Sequence, residues 1–347
     1  MKIAIVNDVT SIRQLLTMLI SKHSSHTVVW EADDGDTAVE KCAIDTPDMI
    51  LMDLIMPKMG GAEATEIIMK NNPCAILIVT ASVTDNADKV FQAMSYGALD
   101  AISTPNLNPL NKNSDIDAFL KKLHIVDRLT TNTERIKQSQ SSIVTTEITE
   151  QTLPLVCIGS STGGPGALAI LFTDIPKDIN ATFVVVQHVD KNFTEGLCEW
   201  LNLQTKLEVK MAEEGITPLK GHVYIAGGDE HLSINQLGKL TFDINPRELI
   251  YRPSIDIFFE SISKNRTGPV IGVLLTGMGN DGAKGLLNLL NTGAYTIAQN
   301  QESCAVFGMP RAAIKLDAAN AILDINELAN QIMRHLPKPD EKTYQAG

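Results

Sequence analysis

From Met1 to about Thr104 the chain alternates short, β-branched apolar runs with stretches of helical period, and nothing else in it constrains the fold as tightly. The runs are Lys2 to Val6, Val28 to Ala32, Met49 to Met52, Ala75 to Thr80 and Ala98 to Ser103. Such runs separated by helix-length spacers make βα units, and hence a parallel sheet covered on both faces. Ile116, Phe119, Leu120, Leu123, Val126 and Leu129 then fall near helical spacing, as an amphipathic helix closing the unit requires. The first domain is therefore placed at residues 1–130. Residues 131–152 are rich in Thr, Ser, Gln and Glu, carry no apolar period, and read as a linker. A second α/β pattern occupies 153–347, with its clearest strands at Leu155 to Ile158, Thr182 to Val186, His222 to Ala226, Val270 to Leu275 and Ala294 to Ala298.

Size and composition agree with this division. A chain of 347 residues is long enough for two domains of ordinary size. With 44% hydrophobic and 20% charged residues it is of soluble globular type. The net charge of −12, with no block of Lys or Arg, argues against nucleic acid as a partner. Cys42, Cys74, Cys157, Cys198 and Cys304 are scattered, without a C-x-x-C pair that would suggest zinc or a redox centre. The amino-terminal MKIAIVNDV is polar too early for a secretory segment, and no apolar run reaches the ~18 residues that span a bilayer. The expectation is a cytoplasmic, reduced protein that does not insert into membranes.

Ligands of open α/β sheets gather at the carboxyl ends of strands, which here carry Asn7 and Asp8, then Asp53, then Thr80. Mg²⁺ takes hard oxygen ligands, often carboxylates together with a phosphate oxygen, and Asp8 and Asp53 supply that chemistry. Read alone, each has the plain alternative of capping the helix that follows, as Asp often does. The segment Asp53-Leu-Ile-Met-Pro57-Lys-Met-Gly60-Gly61, with the order of the units, resembles the receiver domain of two-component response regulators. That resemblance implies a flavodoxin-like (βα)5 fold and a cognate histidine kinase as phosphodonor. It further implies Asp53 as the phosphorylated residue, Asp8 and Asp53 as Mg²⁺ ligands with Asn7 beside them, and Thr80 contacting the phosphoryl group. Three positions depart from the pattern: Asn7 replaces a second acid, Ala101 a common aromatic, and Thr104 the lysine before Pro105. Asn7 still has a carbonyl oxygen to offer. Thr104 offers one hydrogen bond where lysine would bring a full charge, which leaves a phosphorylatable domain and a degenerate docking module both open.

The second pattern opens on Leu155-Val-Cys-Ile-Gly159-Ser160-Ser161-Thr162-Gly163-Gly164-Pro165-Gly166, a strand running into a glycine-rich turn. Pro165 suits the first residue of a following helix. Residues 159–163 satisfy G-x-S-x-G around Ser161, the arrangement that exposes a hydroxyl above a sheet; a mere tight turn is the plain alternative. The phosphate-binding spacings G-x-x-x-x-G-K-[ST] and G-x-G-x-x-G are both absent. A serine nucleophile needs a base. His188 closes the run Thr182-Phe-Val-Val-Val-Gln187 and so shares the rim with Ser161, with His231 in Gly227-Gly-Asp-Glu-His231 as runner-up. His23, His26, His124, His222 and His335 read as surface or structural residues. A base of this kind needs an orienting carboxylate, and Asp281 in Leu275-Thr-Gly277-Met278-Gly279-Asn-Asp281-Gly282 is placed for it, or is simply an N-cap. The glycines around it let backbone amides approach an oxyanion, with Met278 and, beside the serine, Thr162 as candidate shaping residues. The order Ser, His, Asp differs from the Ser, Asp, His order of α/β-hydrolases and points to another serine-hydrolase scaffold.

IGSSTGG, VVVQH, YIAGGDEH, RPSID, LLTGMGNDGAKG and AQNQESCAVFGMPRAA, in this order, resemble the catalytic domain of chemotaxis protein-glutamate methylesterases of the CheB type. The resemblance implies a doubly wound, mostly parallel α/β domain with Ser161, His188 and Asp281 as the triad and no cofactor in the esterase domain. It implies as substrates glutamyl methyl esters on cytoplasmic helices of methyl-accepting chemoreceptors, with glutamine deamidation as a second activity. It also implies that the unphosphorylated receiver inhibits the esterase and that phosphorylation at Asp53 relieves this. The departures in the receiver look most like methylesterases of chemosensory pathways of the Wsp type. Two readings of other classes stand beside it. One is a non-catalytic receptor-binding adaptor with a degenerate receiver, against which the intact triad argues. The other is a regulator with a DNA-binding output, disfavoured by the acidity and the lack of a basic recognition helix.

Overall fold

The computed structural model describes residues 1–347 apart from 24, 82–85, 106–115, 118, 121, 125–152, 190, 248, 250 and 338–347, so the expected linker lies outside the described residues. The chain divides into two compact units, Met1–Gln138 and Ser139–Gly347.

In the first unit the strands β1 (Lys2–Val6), β2 (Thr27–Ala32), β3 (Met49–Met52), β4 (Ala75–Thr80) and β5 (Asp100–Ser103) form a parallel sheet of order β2-β1-β3-β4-β5. Every residue of β3 is buried, as a central strand covered on both faces demands. One face packs Ile3, Ile5, Leu51, Leu77 and Val79 against Leu16 and Ile20 of helix α1 (Thr10–His23), with Phe119 and Leu123 completing that core. The helix expected around Phe119 and Leu123 is thus present, while Val126 and Leu129 lie outside the described residues. On the sheet's carboxyl edge Asn7 follows β1, Asp53 follows β3, Thr80 ends β4 and Thr104 follows β5.

The second unit is a wholly parallel sheet of order β14-β13-β12-β6-β7-β9-β8. Its strands are β6 (Leu155–Ser160), β7 (Thr182–Gln187), β8 (Glu208–Met211), β9 (His222–Ile225), β12 (Val270–Leu274), β13 (Tyr295–Gln299) and β14 (Ala321–Leu323). A separate antiparallel hairpin, β10 (His231–Ile234) and β11 (Leu240–Asp243), lies outside that sheet. From β6 the chain builds to one side through β7 and β9, then returns to build the other side from β12. The strand order therefore reverses between β6 and β12, and the crevice above such a switch point is where open α/β sheets bind ligands. Helix α5 (Gly164–Thr173) leaves the end of β6, and α7 (Ile255–Asn265) packs against the hairpin and against α8 (Ala283–Asn291). Both sheets are α/β in class, as the alternating pattern predicts. Among the described residues no helix is long and apolar enough to cross a membrane.

Candidate active site

The turn after β6 is forced by its surroundings. Gly163 caps α5 at φ +76°, a left-handed value, and a Cβ there would collide with Ala305 Cβ. A Cβ on Gly277, on the neighbouring strand end, would stand 2.7 Å from Ser161 Cβ. Two glycines thus let the serine turn and the loop after β12 lie against each other, and Ser161 N–H donates to Thr276 O at 3.0 Å across the join. Pro165 is the second residue of α5, one place later than the sequence suggests.

His188 follows β7 and hangs from the serine turn by backbone, its N–H donating to Ser160 O at 2.9 Å. Gln187, buried at 2% exposure, clamps the pair. Its Nε2 donates to Ser161 O at 2.8 Å and His188 O at 3.0 Å, and its Oε1 accepts from Ser160 Oγ at 2.6 Å. No feature of the sequence marked Gln187 or Ser160 beyond their places in the motifs.

The His188 side chain is 7% exposed, and its Nε2 lies 2.9 Å from Asp281 Oδ2. A carboxylate only accepts, so Nε2 carries the ring proton and Nδ1 is left as a bare lone pair. That Nδ1 is buried and meets no hydrogen-bond partner among the described residues. Tyr251 stacks on the imidazole with centroids 4.3 Å apart and planes 6° from parallel. Nothing in the sequence marks Tyr251, whose position just before the RPSID motif shows nothing of a face-to-face stack.

Asp281 does not cap the helix that follows it, since Gly282 is the N-cap of α8. Its carboxylate instead takes the amino end of α7, accepting from Ile255 N at 2.8 Å and Asp256 N at 2.9 Å, with Ser254 Oγ at 2.9 Å and Gly282 N at 3.1 Å. Burial raises its pKa. The bond to His188, the charge on His188 and the two helix amides outweigh that, and the net displacement is downward. Asp281 is thereby held as an anion beneath His188.

His231, the runner-up base, is fully buried with both ring nitrogens committed to backbone, Nδ1 to Ser254 N at 3.1 Å and Nε2 to Pro246 O at 3.2 Å. It has no nitrogen to spare for a serine. His222 opens β9, its Nε2 3.0 Å from Glu208 of β8. At the serine, the amides of Thr162 and Met278 pair with no acceptor among the described residues, and Thr162 is 7% exposed.

At the carboxyl edge of the first sheet, Asp53 is half-buried and its pKa is raised to about 6, chiefly by desolvation and in part by the negative charge of Asp8; the amides of Leu54 and Ile55 oppose the rise. Asn7 Nδ2 donates to Asp53 Oδ2 at 2.8 Å while its Oδ1 accepts from Val9 N at 2.9 Å. The carbonyl expected to face a metal is therefore spent on Val9. Turning the amide over would set oxygen against carboxylate, so Asn7 acts as a donor to Asp53. Thr80 is 1% exposed, Thr104 N–H donates to Thr80 O at 2.8 Å, and Thr104 Oγ1 is buried with no partner among the described residues. The two mutually repelling carboxylates of Asp8 and Asp53 have the hard-oxygen chemistry that Mg²⁺ takes and could hold it, and no third His, Cys, Asp or Glu joins them among the described residues. Lys58 pairs with Asp34 instead of entering this site.

A family model described as CheB methylesterase matches residues 156–332, and one described as response regulator receiver domain matches residues 3–112. A protein-glutamate methylesterase/protein-glutamine glutaminase of Pseudomonas aeruginosa is 44% identical over 332 residues, covering 96% of this chain and 98% of that relative. One of Pseudomonas putida, described as belonging to a group 3 operon, is 43% identical over 97% of this chain and 100% of its own length. The crystal structure of the Thermotoga maritima CheB methylesterase catalytic domain superposes with TM-score 0.51 and 36% identity, over 52% of this chain and 98% of that one. Carrying a receiver domain at its amino end and the matching catalytic domain behind it, the chain belongs to the CheB methylesterase family.

Proposed function

We propose that the protein is a cytoplasmic response-regulator serine esterase that hydrolyses glutamyl methyl esters on chemoreceptor cytoplasmic domains and deamidates receptor glutamines. The observation that carries this is His188, buried beside the serine turn, with Nε2 bound to Asp281 and Nδ1 bare. Ser161 Oγ attacks the ester carbonyl while His188 Nδ1 takes its proton. The oxyanion that forms is received by the amides of Thr162 and Met278. Collapse breaks the bond to methoxide, which leaves as methanol with the proton from His188. Water then attacks the glutamyl–Ser161 ester, giving its proton to His188, and Ser161 leaves with that proton to free the glutamate. With a glutamine substrate the first leaving group is ammonia.

The domain boundaries supporting this reading are a receiver over 1–130, a linker over 131–152 and the esterase over 153–347. In the receiver, Asp53 accepts a phosphoryl group from a cognate histidine kinase, and its phosphorylation raises esterase activity. Asp8 and Asp53 would hold Mg²⁺, which neutralises charge around the phosphoryl group when bound. Thr80 and Thr104 offer hydroxyls to phosphoryl oxygens, and Asn7 holds the Asp53 carboxylate in place. The P. putida relative's group 3 operon agrees with a pathway of the Wsp type.

The test is methanol release from methylated receptor membranes by wild type and Ser161→Ala, each with and without kinase and ATP. Release by wild type alone, raised by kinase, is expected. Release that ignores the kinase reduces the receiver to a docking module, and receptor binding without any release replaces the esterase reading with the adaptor.

A further inference from the structure

The hairpin β10–β11 adds no strand to the main sheet, yet it is stitched along α7. Ile234 N donates to Ser261 Oγ at 3.0 Å, Asn265 Nδ2 donates to Ile234 O at 2.8 Å, and His231 receives the Ser254 amide. The last of these contacts leads to the catalytic carboxylate. Ser254 is the N-cap of α7, and its hydroxyl donates to Asp281 Oδ1. Apart from His188, Ser254 is the one side chain that hydrogen-bonds Asp281 among the described residues; the other donors are backbone amides.

We infer that Ser254 is a positioning residue for Asp281, and that His231 is the latch that holds Ser254 in place. The inference rests on the esterase reading above. Because His231 Nδ1 accepts an amide proton, Nε2 must bear the ring proton and donate to Pro246 O, so this histidine works in a single neutral tautomer. It joins three segments distant in sequence: the start of β10, the Pro246 loop and the first turn of α7. Replacing it by an apolar residue leaves the Ser254 amide and the Pro246 carbonyl buried without partners.

The Ser254 hydroxyl acts on the base through charge. Every donor to Asp281 spreads its negative charge and weakens its pull on the His188 Nε2 proton. Without that hydroxyl the carboxylate favours the imidazolium more strongly, so His188 protonates at higher pH, and the acid limb of kcat/KM moves up in pH. The other ionisable groups facing this cluster are Tyr251, stacked on His188, and Asp256 of α7, whose carboxylate accepts from Gly285 N at 2.7 Å with Lys284 nearby. All three stay in place in the variants below, so a moved limb reports the Ser254–Asp281 bond.

The experiment compares Ser254→Ala, His231→Leu, His231→Asn and the double variant Ser254→Ala with His231→Leu in the full chain. Methanol release gives kcat, KM and the pH profile, and the ¹⁵N shift of the His188 ring is titrated in parallel. Ser254→Ala should lose roughly 10- to 100-fold in kcat at little cost in KM. Its acid limb and its imidazole titration should both rise by about half to one pH unit. His231→Leu should move the same quantities the same way, and His231→Asn, whose Oδ1 can take the Ser254 amide, should restore most of the loss. The double variant should be no worse than Ser254→Ala, because His231 acts through Ser254. Additive losses, or a limb and ring titration that stay in place while kcat falls, would overturn the inference. Absence of release by wild type would instead defeat the esterase reading, and the ring titration would still decide whether Ser254 and His231 act on Asp281. Should His231→Leu fail to fold, His231→Asn against Ser254→Ala carries the same comparison.

Discussion

Replacing Asp281 by asparagine preserves shape and removes only charge and half of the acceptor capacity, so its effect can be worked out donor by donor. Three donors meet Oδ1, namely Ser254 Oγ, Asp256 N and Gly282 N, while Ile255 N and His188 Nε2 meet Oδ2. The asparagine oxygen therefore belongs on the Oδ1 side, and its NH₂ faces His188. To avoid two opposed donors the imidazole must shift its proton from Nε2 to Nδ1. Nδ1, which has no hydrogen-bond partner among the described residues, is the nitrogen that the proposed mechanism needs bare to accept the Ser161 proton, so the base is lost although no atom has moved far. Loss of the correct tautomer in serine hydrolases costs about 10³- to 10⁴-fold in kcat, or ~4 to 5.5 kcal/mol of barrier. The opposed Ile255 N–H and NH₂ add a stability cost of about 1 to 3 kcal/mol. Methanol release at saturating receptor, with a thermal melt to establish folding, measures both. A folded Asp281→Asn protein whose kcat stays within about ten-fold of wild type would refute the tautomer argument.

Gln187→Leu keeps the volume of the buried amide but strips partners from Ser160 Oγ and from the Ser161 and His188 carbonyls; denaturant unfolding should show a loss of about 2 to 4 kcal/mol. The Lys58 ammonium and the Thr37 amide hold the Asp34 carboxyl down to about 2 from an ordinary 3.8, so the stability it contributes is complete above that ordinary range and is lost as pH falls through about 2. Asp34→Asn should accordingly melt below wild type by a constant margin from about pH 7 to about pH 5, and a melting series that fails to converge towards about pH 2 would contradict the assignment. Chelator-treated protein should melt higher as Mg²⁺ is added, by an amount equivalent to ~2.7 kcal/mol at a hundredfold excess over Kd, and Asp53→Asn should lose most of that rise.

The strands that carry the site were legible because they are buried on both faces and hence apolar throughout: β6 and β7 are wholly buried, and Ser161 and His188 each follow such a run directly. Strands β8, β11 and β14 were not, since they are three or four residues long and only partly covered, which leaves no continuous apolar signal to read. The hairpin to which β11 belongs is the element that packs along α7. For the same reason His231 looked like a spare base in a loop, when its burial and two backbone partners make it part of the frame. Asn7 shows a further limit of composition: its residue type told that an oxygen was available, but only the competing Val9 amide decides which end of the side chain faces Asp53.

Asp281 unites these cases. Its place after a strand and before a helix was readable, and so was its nearness in the fold to Ser161 and His188. The helix whose amino end it occupies begins 26 residues earlier in the chain, at Ile255, and local sequence carries no trace of that encounter. A carboxylate placed on a helix terminus is stabilised as an anion without needing a lysine or arginine nearby, which would compete with His188 for it. The serine and histidine come from strands on one side of the switch point, and the acid comes from the loop on the other side. The reversal of strand order between β6 and β12 is thus what lets a carboxylate held by backbone amides sit opposite a serine turn, and it explains why the acid follows the histidine in the chain.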